Sequence, residues 1–145
     1  CHAANLLSGG MNACNFGCIG LGSCKKVCMF DAIVVENGLA RVIPENCTGC
    51  GKCVAECPKN IIKLIPVMSG FTVKCSSHDK GALTRKNCTV GCIGCQKCVK
   101  ACPNAAIAMN NNLAVIDAEK CINCGECEKV CPQKCIANTI VKRFA

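Results

Sequence analysis

Nine cysteines of this chain recur at one constant offset. Subtracting 74 from Cys75, Cys88, Cys92, Cys98, Cys102, Cys121, Cys124, Cys127 and Cys131 gives Cys1, Cys14, Cys18, Cys24, Cys28, Cys47, Cys50, Cys53 and Cys57. An agreement this long is read as a tandem duplication, and it constrains the fold more than any other feature. Cys95 falls on Leu21, Pro103 on Met29 and Cys135 on Ile61, so the first copy lacks one motif cysteine that the second keeps, and it has no counterpart of Cys135. Each copy is itself double. "CIGLGSCKKVCM" (18–29) is followed by "CTGCGKCVAECP" (47–58), and "CIGCQKCVKACP" (92–103) by "CINCGECEKVCP" (121–132).

Three of the four runs fit C-x2-C-x2-C-x3-C-P without fault, at 47–58, 92–103 and 121–132. That spacing suits a cubane iron–sulfur cluster. Three thiolates come from a tight loop whose N–H groups turn inward. The fourth, expected to start a helix and point the other way, ligates the other cluster of a pair. Crossed ligation explains why the runs come in twos. It predicts four [4Fe-4S] clusters. Complete ligand sets are Cys28, Cys47, Cys50 and Cys53; Cys92, Cys95, Cys98 and Cys131; and Cys102, Cys121, Cys124 and Cys127. Cys18, Cys24 and Cys57 form an incomplete set, with Leu21 where a ligand is expected. Structural zinc usually takes two separated C-x2-C pairs. Cysteines so closely spaced also pair poorly as disulfides.

Composition agrees. The 145 residues include 20 cysteines, no Trp, no Tyr and four Phe. A repeat of roughly 60 folded residues buries only about 60% of its unfolded surface. The clusters are therefore expected to staple cores that contain few aromatics, and loss of iron to unfold the chain. The net charge of +8 invites a nucleic-acid reading, but the basic residues are scattered and aromatics for base stacking are nearly absent. Four cubanes carrying about −2 each when oxidised and about −3 when reduced would bring +8 to about zero or about −4. The lysines are read as compensation for anionic clusters, and no nucleic-acid partner is expected.

The fold class expected is α+β: tandem two-[4Fe-4S] ferredoxin-like domains with short strands, short helices and cluster-dominated cores. Hairpins are predicted in "AIVVENGLARVI" (32–43), around Asn37-Gly38, and in "AIAMNNNLAVID" (106–117). "GKCVAEC" and "GECEKVC" read as one- to two-turn helices closed by proline. "IIKLI" (61–65) and "CIANTIV" (135–141) read as short closing strands. The expected domains are 1–68 with a cysteine-rich lead-in, a linker and lead-in at 69–87, and 88–145. Ile19, Ile93 and Ile122 are expected to shield clusters from water. No signal peptide is evident, and "NIIKLIPVM" is too short to span a bilayer. Starting at Cys1 rather than Met, the chain reads as a fragment.

Cys75, Cys88 and Cys135 lie outside the four motifs. They read as buried free thiols in a reducing compartment, the alternatives being a labile Cys75–Cys88 disulfide and ligands for an extra cluster or for a domain outside this chain. "SSHD" (76–79) sets Ser, His and Asp side by side in a turn, which is not how a hydrolytic triad is assembled. His2 and His78 read as surface histidines. Neither a Rossmann nor a P-loop phosphate motif is found.

The motifs resemble bacterial two-cluster ferredoxins, twice, over nearly the whole chain. A narrower resemblance rests on "CHAANLLSGGMNACNFGCIGLGSCKKVCMFDAI" (1–33) and "VKCSSHDKGALTRKNCTVGCIGCQKC" (73–98). These look like the B subunits of Rnf complexes, of the clostridial polyferredoxin type. The resemblance implies an electron relay with no catalytic site of its own. It would carry electrons from reduced soluble ferredoxin into a membrane complex that reduces NAD and pumps Na⁺ or H⁺. It further implies association with other subunits at the cytoplasmic face of the membrane, through an anchor outside this chain. That family also lacks cysteine at the Leu21 position and has it at the Cys1 and Cys14 positions. Cys14 is then the nearer replacement ligand, completing a set with Cys18, Cys24 and Cys57, and Cys1 the runner-up. The alternatives are the iron–sulfur domain of another oxidoreductase, such as a hydrogenase, and a free soluble polyferredoxin.

Overall fold

The computed structural model describes residues 1–139. The chain divides into two compact units, the first over residues 1–64 and the second from Ile65 onward.

In the first unit, helix α1 (His2–Leu6) leads into an irregular stretch, followed by α2 (Ser23–Lys26). Strands β1 (Ile33–Glu36) and β2 (Leu39–Val42) pair antiparallel, with Ile33 opposite Val42 and Glu36 opposite Leu39. Asn37 and Gly38 turn the hairpin at φ 49° and 73°, the left-handed pair that a tight two-residue turn requires. Helix α3 (Lys52–Glu56) closes the unit. Apolar burial is sparse: Ile19, Cys24, Ala32 and Ile33 are the buried apolar residues among those described here.

The second unit opens with β3 (Phe71–Val73) and α4 (Gly81–Asn87), followed by α5 (Lys97–Ala101). β4 (Ile107–Asn110) and β5 (Leu113–Ile116) form its hairpin, and α6 (Glu126–Val130) precedes β6 (Ile136–Asn138). Strands β3 and β6 pair antiparallel, Phe71 opposite Asn138 and Val73 opposite Ile136. The ladder is extended by Lys74 N–H to the Cys135 carbonyl and Thr139 N–H to the Gly70 carbonyl, both 2.7 Å. Its core holds Phe71, Ile107, Leu113, Ala114 and Ile136 together with Cys92, Cys98, Cys127 and Cys135. Thiols thus occupy space that larger side chains fill in an ordinary domain of this size.

Both hairpins and both helix pairs recur at the offset of the cysteines, β1 starting at 33 and β4 at 107, α2 at 23 and α5 at 97. Three sequence expectations differ from the structure. The stretch 69–87, expected as linker and lead-in, contributes β3 and α4 to the second unit, which begins at Ile65. The predicted strand at 61–65 does not form. Its counterpart β6 exists by pairing with β3, and among the described residues no strand pairs with 61–65. The predicted strand at 135–141 is realised as β6, and residues 140–141 lie outside the described residues. The fourth cysteine also ends a helix rather than starting one. Cys57, Cys102 and Cys131 cap α3, α5 and α6 in extended conformation before their prolines.

Candidate metal centres

Each motif builds its loop in the same way. The helix carrying the third cysteine (Cys24, Cys53, Cys98 or Cys127) starts after a residue in the left-handed region: Gly22, Gly51, Gln96 and Gly125, at φ 59° to 79°. This reversal folds the loop over the helix start. In the first motif of each unit the loop is then seated on the hairpin. A Cβ on Gly20 would lie 2.5 Å from the carbonyl carbon of Gly38, and one on Gly94 would lie 3.0 Å from the Asn112 carbonyl oxygen. Both pairs are again 74 residues apart, so the hairpin turn supports the ligand loop in each unit.

In the second unit the cysteines line two cavities. Cys92, Cys95, Cys98, Cys131 and Cys135 surround about 340 Å³ of partly open space, with Ile93, Met109 and Ile136 in the wall. Cys102, Cys121, Cys124 and Cys127 surround about 310 Å³, with Phe71, Ile107 and Ile122. The fourth cysteine of each run lines the cavity of the other run. Among the described residues, no three His, Cys, Asp or Glu side chains are arranged to hold a single metal ion. A cubane takes one thiolate per iron, so its ligands surround a volume. The two cavities have that form, and their donor sets fit [4Fe-4S] clusters.

Electrostatics follow the same grouping. Burial, with the nearby charges of Cys92, Cys95 and Cys131 adding to it, pushes the Cys98 thiol up to about 11. Burial likewise raises Cys127, with Cys121 and Cys124 adding to it, and Cys53, with Cys47 and Cys50. It raises Cys24 as well, with Cys18 and Cys57 adding to the effect. Crowded thiolates repel, and a cation among them removes that cost as protons leave. Cys92 departs from the pattern: a hydrogen bond from Cys135 holds it down to about 5, against the opposing effect of burial. The same contact raises Cys135 strongly, so Cys135 is the partner that keeps its proton.

In the first unit Cys24 is buried beside Cys18 and Cys57. The second ligand position lies at the solvent rim of every run: Cys50, Cys95 and Cys124 are exposed, and Leu21 is 51% exposed. A leucine is therefore tolerated there without rebuilding the loop. Both proposed replacements stand nearby. Cys14 opens the turn that leads into Cys18, its carbonyl accepting the N–H of Gly17, the residue before Cys18, at 3.0 Å. The Cys1 amino group donates to Ser23 Oγ at 2.9 Å, next to Cys24. The lead-in is clamped to the chain around Cys57 by Lys59 Nζ to the Asn15 carbonyl at 2.6 Å and by His2 with Glu56 at 3.0 Å.

Of the expected shields, Ile19 is buried, Ile93 half-buried and Ile122 58% exposed, so Ile122 covers its cavity only partly. All twenty cysteines are free thiols, Cys75 and Cys88 included. Ser77 of the "SSHD" stretch is deeply buried. Its Oγ accepts the Asp79 N–H at 3.2 Å and pairs with Thr84 Oγ1 at 3.5 Å, so it anchors α4. His78 Nδ1 lies 3.1 Å from the Asn111 carbonyl, on the hairpin turn.

Sequence reasoning did not find Asn123. From a left-handed position at φ 58° in the last ligand loop, its Oδ1 accepts the Gly70 N–H at 2.8 Å and its Nδ2 donates to the Met68 carbonyl at 3.2 Å. Asparagine tolerates that conformation, which is the one signal the sequence offered.

Comparison with known proteins agrees with this chemistry. A 4Fe-4S dicluster domain matches residues 91–135 and a 4Fe-4S binding domain matches residues 40–63. The chain is 50% identical over 97% of its length to the B subunit of a Na⁺-translocating ferredoxin:NAD⁺ oxidoreductase complex from Acetobacterium woodii, covering 42% of that protein. It is 48% identical over 81% of its length to the B subunit of a proton-translocating ferredoxin:NAD⁺ oxidoreductase complex from Clostridium ljungdahlii, again 42% of that protein. Against the B subunit of an ion-translocating oxidoreductase complex from Methanosarcina acetivorans, identity is 44% over 83% of the chain and 46% of the relative. The chain spans less than half the length of these relatives. It carries two ferredoxin-type 4Fe-4S regions of mixed α and β structure. Among the described residues no helix is long and apolar enough to cross a membrane.

Proposed function

We propose that this chain is the electron-relay region of an Rnf-type ferredoxin:NAD oxidoreductase. It would hold four [4Fe-4S] clusters in two cross-ligated pairs, one pair in each copy of a duplicated two-cluster ferredoxin domain. The observation that carries this reading is the crossed lining of the two cavities, in a chain half identical to the B subunit of one such complex. A bound [4Fe-4S] cluster supplies one-electron transfer. The chain's own residues supply everything else. Cys102, Cys121, Cys124 and Cys127 would hold one cluster, and Cys92, Cys95, Cys98 and Cys131 the next. Cys28, Cys47, Cys50 and Cys53 would hold the third, and Cys18, Cys24 and Cys57 with Cys14 the fourth. Ile19, Ile93, Phe71 and the hairpins exclude water, and loop N–H groups set the potential through sulfur hydrogen bonds.

The electron donor in this reading is reduced soluble ferredoxin. The partners are the other subunits, and the working position is the cytoplasmic face of the membrane. Iron analysis tests the cluster count: about 16 Fe per chain is expected for four cubanes. A value near eight, or zinc instead, overturns it. Cys50→Ser in the full-length protein within its complex tests the relay. Ferredoxin-driven NAD reduction should slow while the second unit keeps its clusters. Unchanged transfer despite loss of that cluster rules out a series arrangement.

A further inference from the structure

The first cavity of the second unit has one thiol more than a cubane uses. Cys92, Cys95, Cys98 and Cys131 match the motif, yet Cys135 lines the same space. Cys135 is 4% exposed, and its sulfur lies 3.6 Å from that of Cys131. The second cavity has only the four cysteines of its motif set in its wall.

The backbone holds Cys135 independently of Cys131. Its carbonyl accepts the Lys74 N–H, and the next residue, Ile136, is registered against Val73 in the β3–β6 sheet. A tight turn brings the two thiols to one side. Lys134 N–H donates to the Cys131 carbonyl at 3.2 Å, with Lys134 itself left-handed at φ 51°. Removing the Cys131 side chain leaves these constraints in place.

We infer that Cys135 is a reserve ligand for the iron that Cys131 holds. When the Cys131 sulfur is absent, or has left the iron on being alkylated, the Cys135 thiol releases its proton to solvent and its sulfur bonds that iron in its place, displacing any solvent molecule held there. No electron is transferred. The exchange requires a sulfur already in the cavity wall to shift by no more than the 3.6 Å that separates the two thiols. The first unit has no such device, because Ile61 occupies the corresponding position.

This inference rests on the cluster reading above, so iron in the unaltered full chain is measured first; a deficit there counts against that reading itself. With full iron in the parent, Cys131→Ala and Cys131→Ser are compared with Cys102→Ala, whose cavity has no fifth thiol, and with Cys131→Ala/Cys135→Ala. Iron content and EPR are the readouts. Both single Cys131 variants should keep the parent iron content without a [3Fe-4S] signal. Cys102→Ala and the double variant should each lose about one iron per chain and show that signal. A [3Fe-4S] signal or iron loss in the Cys131 variants equal to that of the double variant overturns the inference. So does failure of both Cys131 variants to assemble with iron, since the reserve thiol is present in each.

Discussion

Three glycines with similar backbone angles but different surroundings isolate what the hairpin does for the ligand loop. Gly49, Gly94 and Gly20 lie at φ 72°, 66° and 80°. A Cβ at Gly49 meets nothing within 4 Å, at Gly94 it approaches the Asn112 carbonyl oxygen at 3.0 Å, and at Gly20 it overlaps the Gly38 carbonyl. For an L-residue the left-handed conformation costs about 1–2 kcal/mol, partly offset by the lower entropy of an unfolded chain bearing alanine. Gly49→Ala should therefore destabilise by about 1 kcal/mol. At Gly20 the obstruction is backbone, which cannot rotate aside. The ligand loop and hairpin must separate, adding about 1–3 kcal/mol. That difference corresponds to cluster loss roughly five-fold to over a hundred-fold faster. The assay is bleaching of the visible cluster absorbance by an iron chelator. The expected order of rates is Gly20→Ala fastest, Gly94→Ala intermediate and Gly49→Ala slowest. If Gly20→Ala bleaches no faster than Gly49→Ala, the hairpin does not support the loop and the reasoning fails.

Asn123→Ala removes both side-chain hydrogen bonds to the 68–70 segment and puts alanine at φ 58°. It should cost about 1–3 kcal/mol and speed amide exchange in β3, whereas unchanged exchange at Thr72 and Val73 would exclude Asn123 as the anchor. Cys14→Ala should give a [3Fe-4S] EPR signal and Cys1→Ala should not; the reverse result would exchange the two assignments. Ser77→Ala should lower stability by about 1 kcal/mol and leave cluster content intact, as measured by chelator resistance and iron analysis. Complete removal of iron should abolish the cooperative thermal transition, and an apoprotein retaining native circular dichroism would show that the apolar cores suffice on their own.

The sequence by itself determined the local elements. Ligand loops, the helices that carry each third cysteine, and both hairpins depend on residues close together in the chain. Left-handed glycines, an Asn-Gly turn and cysteine spacing encode them directly. It also marked, through Leu21, the one run that departs from the cysteine pattern of the other three. The tertiary structure decided what joins distant residues. Phe71 pairs with Asn138, which turned an apparent linker into part of the second unit. Lys59 and Glu56 draw the lead-in toward Cys57. Cys135 looked like a spare thiol four residues beyond its motif, and only the sheet that follows it sets its sulfur beside Cys131 and Cys92. Local spacing cannot specify such contacts, because their stability comes from groups that meet only after the chain has paid the entropy of closing long loops.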